Sequence, residues 1–147
     1  MGLLQLAQEA PAVLPDTRVL DAVAMMAKRR VGAIVVTSAE DIGRKVVGVF
    51  TERDLMRRVV NERRDPATTP IGEVMTRPVY TVPDDTSVAE AAALMRQHHI
   101  RHLVIVDERG ALLGVVAQRY LLYDLMGALE LKVNGLESFI MADGPGG

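Results

Sequence analysis

Val31-Gly32-Ala33-Ile34-Val35-Val36, a polar interval, and then Val46-Val47-Gly48-Val49-Phe50-Thr51-Glu52-Arg53-Asp54 form the stretch on which the fold turns. Both apolar runs are β-branched and continuous, so they read as strands rather than as surface helix. The charged tetrad at the end of the second run then opens a helix, predicted from Glu52 to about Arg64. Upstream, Val19, Ala22, Val23 and Met26 recur at i, i+3, i+4 and i+7, the stripe of an amphipathic helix. Pro15-Asp16 precedes that stripe, and Thr17 is the expected cap.

The same order occurs a second time. Val88, Ala91, Ala92 and Met95 repeat the stripe behind Pro83-Asp84, with Thr86 as the expected cap. Ile100-Arg101-His102-Leu103-Val104-Ile105 and Leu112-Leu113-Gly114-Val115-Val116 repeat the strands, and a helix follows from Gln118. Internal repetition of this kind decides architecture. The unit is a short strand, helix, strand, strand and helix. Asp65 to Pro70, punctuated by Pro66 and Pro70, joins the copies and divides the chain into 1–69 and 70–147. Continuous aliphatic strands imply sheets covered by helices, an α/β fold. One copy of roughly 55 residues buries too little alone, and packing two face to face remedies that.

Composition agrees. The chain has 147 residues, 49% of them apolar, with only three Tyr and two Phe, so its core is aliphatic. It has no Cys, which removes disulfides, thiolate metal sites and thiol catalysis. No apolar run reaches the roughly 18 residues of a membrane helix, and the first basic residue is Arg18, unlike the start of a signal peptide. The expectation is a soluble, cytoplasmic protein. Net charge is −2, with +2 on residues 1–69 and −4 on 70–147. Arg53, Arg57, Arg58, Arg63 and Arg64 cluster, but Glu52, Asp54, Glu62 and Asp65 are interleaved with them. That pattern reads as a solvated helix face rather than a nucleic-acid patch.

Thr51-Glu52-Arg53-Asp54 carries the chemistry. A carboxylate accepts both hydroxyls of a ribose cis-diol, and a hydroxyl, an Arg and free N–H groups at a helix start suit phosphate. Thr-x-x-Asp is equally close to a capping box, which ties down a helix with no ligand at all. The second copy has Ala117-Gln118-Arg119-Tyr120, without hydroxyl or carboxylate. One orthodox ribonucleotide site at Asp54 is therefore expected, with a second that is empty, weak or altered. His98, His99 and His102 lack the acidic or Cys partners of a metal site, and no metal is expected. No Gly-x-Ser-x-Gly, Walker or Gly-x-Gly-x-x-Gly motif occurs, so no enzyme is expected.

The duplicated order, with Val47-Gly48-Val49-Phe50-Thr51-Glu52-Arg53-Asp54-Leu55, Ile71-Gly72-Glu73-Val74-Met75-Thr76 and Gly114-Val115-Val116, resembles a tandem cystathionine β-synthase (CBS) domain over about residues 3 to 125. The resemblance implies two β-α-β-β-α repeats with pseudo-two-fold symmetry, a regulatory role, a homodimer, and an adenine nucleotide (AMP foremost, ATP or NAD as alternatives) between the repeats. By that symmetry the Asp54 site takes Thr51 and Arg53 from its own corner, and Thr76, Pro78, Val79, Arg101, His102 and Leu103 from the other repeat. Gly32 and Ala33 would let the ligand approach the backbone. The alternative is a scaffold or dimerisation protein with vestigial clefts.

Beyond the repeat, Leu122, Leu125, Leu129, Val133, Leu136 and Ile140 continue an apolar seam, read as a self-association surface. Asn134-Gly135 is expected to bend or break that helix, and Asp143 to Gly147 to fray.

Overall fold

The computed structural model describes residues 2–8, 11–38 and 44–142, with side chains as far as Leu136. Ile140 as a seam residue, the Asp143 to Gly147 tail and most of the first polar turn lie outside the described residues. Two three-stranded sheets carry the fold. In one, β1 (Ala12–Val13) lies parallel to β2 (Ala33–Thr37), which is antiparallel to β3 (Val46–Thr51). In the other, β4 (Thr81–Pro83), β5 (His102–Val106) and β6 (Leu112–Ala117) repeat the same order and directions. Helices α1 (Val19–Arg29) and α3 (Val88–His98) make the crossovers. α2 opens as one regular turn (Glu52–Asp54) and continues in π geometry (Leu55–Val60), whereas α4 runs unbroken from Gln118 to Ala142.

The duplication extends to irregularities. Arg30 and His99 end α1 and α3 in the left-handed region, at φ 56° and 55°. The register of both antiparallel pairs slips at matching places, Val36/Thr37 and Ile105/Val106. Two expected caps differ from what is found. α3 is capped by Ser87, one residue beyond Thr86, through a reciprocal box with Glu90. α1 has Arg18 at its N-cap with no side-chain hydrogen bond. Its first N–H groups instead reach the linker, Val19 N donating to Thr69 O and Leu20 N to Pro66 O, both at 2.9 Å. The linker satisfies the donors that a capping hydroxyl serves elsewhere.

Each sheet has an aliphatic core, but membership crosses the linker. Ile71, Val74 and Met75 are buried with Val19, Ile34 and Phe50 of the first repeat. Leu3, with Leu6 and Ala7 packed behind it, is buried with Leu103, Ile105 and Val116 of the second. Each repeat thus lends its leading segment to the other. A methyl group at Gly48 would overlap Met75, and one at the equivalent Gly114 would come 3.2 Å from Ala7 Cβ, so both glycines clear space for that exchange.

The start of α4 packs on α3 and β6. Leu121 is buried and Leu125 half-buried, whereas Leu122, Tyr123, Met126, Leu129, Leu131, Val133 and Leu136 are exposed. Leu125 therefore faces the module, contrary to the expected seam, because it stands one turn beyond Leu121 on the same face; Met126 takes its place outside. The expected break at Asn134-Gly135 is absent: glycine costs a helix only about 1 kcal/mol, and no proline accompanies it. No helix among the described residues is long and apolar enough to cross a membrane.

Candidate functional site

Both sheets end in a strand-to-helix corner. At the first, Thr51 Oγ1 accepts from Asp54 N at 3.3 Å while Asp54 Oδ2 accepts from Thr51 N at 3.0 Å, a complete capping box. Thr51 Oγ1 also donates to Oδ2 at 3.2 Å. The other carboxylate oxygen, Oδ1, accepts from Thr76 Oγ1 at 2.7 Å and lies 3.7 Å from Arg58 Nε. Asp54 is 5% exposed, and both of its oxygens are engaged. Thr76 arrives on the segment leading into the second repeat, held by a two-way backbone exchange with Val49 at 3.0 and 2.8 Å.

The second corner is built the same way from different residues. Gln8 exchanges backbone hydrogen bonds with Val115, as Thr76 does with Val49. The Gln8 amide then donates to the Tyr120 hydroxyl, where Thr76 donates to Asp54. Ala117 has no hydroxyl with which to cap, and the Arg119 guanidinium sits 5.0 Å over the Tyr120 ring.

The two corners open onto one cavity of about 850 Å³. Of the residues expected at a site, Gly32, Ala33, Thr51, Arg53, Asp54, Thr76, Arg101 and His102 line it. Three do not. Leu103 is wholly buried in the second core, because its place in β5 points it inward. Pro78 and Val79 face a separate cleft of about 770 Å³ beside Lys45, Arg77 and Arg109. The lining of the larger cavity also includes Gln8, Arg30, Glu52 and Arg119. Glu52 belongs to the tetrad that the sequence singles out, whereas Gln8 is placed only by its register with Val115.

Arg30, Arg53, Arg101 and Arg119 outnumber Glu52 and Asp54 in the cavity lining, which favours an anionic guest. Arg53 also spans the repeats, donating to His99 O at 3.4 Å. His102 lies across Gly32 from Glu52: a methyl group at Gly32 would sit 3.6 Å from His102 Cε1 and 3.3 Å from Glu52 Oε1. Burial lowers the His102 pKa below its ordinary value; Glu52 opposes the shift, while Arg119 and Arg101 add to it. His98 is elsewhere, at the end of α3, with its ring stacked 4.1 Å from that of Tyr80. Among the described residues no group of three or more His, Asp or Glu side chains is placed to hold a metal ion.

The model of the CBS domain matches residues 6–61 and again 71–127. The chain belongs to the CBS-domain family. This CBS pair is 34% identical over 104 residues to the CBS domain-containing protein CBSX3, mitochondrial, of Arabidopsis thaliana, a match covering 69% of this chain and 50% of that one. The chain spans about half the length of the first curated relatives it matches. Among solved structures, the CBS domain protein PAE2072 from Pyrobaculum aerophilum, complexed with AMP, superposes with a TM-score of 0.77 at 32% identity, covering 90% of this chain and 99% of that one. A CBS-domain protein from Burkholderia ambifaria gives 0.76 at 28% identity, covering 86% and 95%. CBS pairs of this kind are regulatory modules.

Proposed function

We propose that this CBS pair is a non-catalytic sensor that binds an adenine nucleotide in the cavity between its repeats. AMP is the first candidate, with ATP and NAD behind it. The observation that carries the reading is the convergence of both corners on one cavity rich in guanidinium groups, with a hydroxyl-and-carboxylate pair at one end. Arg and the N–H groups of a helix start suit a phosphate. In this reading the ribose hydroxyls replace the Thr51 and Thr76 hydroxyls as donors to Asp54, while the Thr51 N–H stays in place. The AMP complex of PAE2072, a 32% identical neighbour, supports the ligand class. Bound ligand would bridge residues of the two repeats and bias their relative orientation or the geometry of a homodimer, which a regulated partner reads.

The second reading, a scaffold with vestigial clefts, also rests on an observation: Asp54 already has partners for both oxygens. Titration calorimetry with AMP, ATP and NAD separates the two. The sensor reading expects at least one to bind, and binding absent up to millimolar concentration of all three leaves the scaffold. Asp54→Ala should weaken ribonucleotide binding by about 1.5–3 kcal/mol, the range of charge-assisted hydrogen bonds; unchanged affinity would place the ligand elsewhere.

A further inference from the structure

The outer part of α4 packs against none of the other described residues. Every described residue from Ala128 to Leu136 is exposed, among them Leu129 at 60%, Leu131 at 74%, Val133 at 50% and Leu136 at 62%. A short helix unsupported by packing is marginal in water, and this one shows large aliphatic side chains to solvent. Their order is specific. Leu122, Met126, Leu129, Val133 and Leu136 advance by 4, 3, 4 and 3, the 3.5-residue repeat of a coiled-coil seam. Leucine holds every d position (122, 129, 136), while Met126 and β-branched Val133 hold the a positions. Gly127 and Gly135 fall at b and c, on the outer side, and a methyl group at either would touch nothing within 4 Å.

We infer that α4 pairs with α4 of a second copy of this chain as a parallel, two-stranded coiled coil through Leu122, Met126, Leu129, Val133 and Leu136. Leucine at d with a β-branched residue at a is the combination that favours two parallel strands. An antiparallel pairing centred on Leu129–Val133 would set Glu130 at e against its own copy. A membrane surface is a poor occupant, because from Tyr120 to Leu136 the helix carries Asp124, Glu130 and a single Lys132 rather than a basic face. The pairing is independent of the nucleotide reading, so either can fail without the other.

The absence of cysteine makes the test direct. Leu129→Cys, Leu136→Cys and Leu131→Cys, each alone in the full chain, are oxidised gently and followed by non-reducing electrophoresis. In a parallel, in-register pair the two d positions face their own copies and both crosslink, at least about tenfold faster than Leu131→Cys at f, because paired positions see a high effective concentration. Adding Val133→Asp should bring the Leu136→Cys rate down to that of the f position. Crosslinking at only one d position shows an antiparallel crossing, and equal rates at all three show random collision; either overturns the proposal. Sedimentation of the uncrosslinked chain as a monomer overturns it as well.

Discussion

The corner at Asp54 and the corner at Tyr120 share a backbone and almost nothing else. Each closes a three-stranded sheet, each faces the shared cavity, and each receives a segment from the other repeat by a two-way backbone exchange. The side-chain tie across the repeats persists through a complete change of partners, from Thr76 and a carboxylate to Gln8 and a phenol. Both corners keep a donor on the incoming segment and an acceptor three residues into the helix. The second does so without a carboxylate. The charged acceptor and the capping hydroxyl of the Asp54 corner have no counterpart at Tyr120 and Ala117, and that difference is what the proposed ligand reading rests on.

The sharpest break between the corners lies one residue behind them. Phe50 and Val116 hold equivalent places, and neither has any exposed surface. Phe50→Ala should cost about 3–5 kcal/mol, and Val116→Ala roughly 2 kcal/mol from lost burial. Denaturant midpoints on both variants check this; equal losses would mean that the surroundings of Phe50 collapse into the space it leaves. Next in size are the corner residues themselves. Asp54→Ala removes half of a capping box, leaves the Thr76 hydroxyl without its acceptor and Arg58 without its ion-pair partner, for about 1–3 kcal/mol. Tyr120→Phe removes the acceptor of Gln8 and, at 3.4 Å on the exposed side, of Arg119, for about 0.5–1.5 kcal/mol. A Tyr120→Phe loss as large as that of Asp54→Ala would show that the capping box adds nothing to the tie.

Much of the fold is legible in the sequence, and the reasons are local. Continuous β-branched runs such as Ile34 to Val36 have few alternatives to a covered strand, and their repetition at Leu103 to Ile105 made the architecture twofold. The tetrad at Thr51 announced both a cap and a carboxylate by its spacing. What stayed hidden depends on contacts distant in sequence. Thr17 looks like a cap, but the Thr69 and Pro66 carbonyls do its work, and nothing near α1 in the chain says so. Pro78 and Val79 follow Thr76 closely in sequence, yet they face the other cleft. Leu125 and Met126 exchange faces because Leu121, one turn earlier, sets which side of α4 meets the module. Nothing in the sequence around Gln8 marks it, because only the register with Val115 brings it to the corner.

The smallest expected effect compares the first residues of β2 and β5. Ala33 stands opposite Thr51, and its counterpart His102 stands opposite Ala117. Only the second repeat therefore brings a titratable ring to the mouth of the cavity. Burial keeps that ring neutral at pH values where it would already be charged in the unfolded chain, with Arg119 and Arg101 pushing the same way and Glu52 opposing them. Above the ordinary value of 6.5, both states hold a neutral imidazole and His102 contributes no pH dependence. As pH falls below that value, the unfolded state binds a proton that the folded state resists, so stability declines. The decline levels off once the lowered, folded-state pKa is passed and both states are charged. Unfolding midpoints between pH 7 and 5 should fall less steeply for His102→Ala than for the unaltered chain, whereas Ala33→Ser should leave the steepness alone. An unaltered slope in His102→Ala would mean that the ring is reached by water and that burial does not govern its charge.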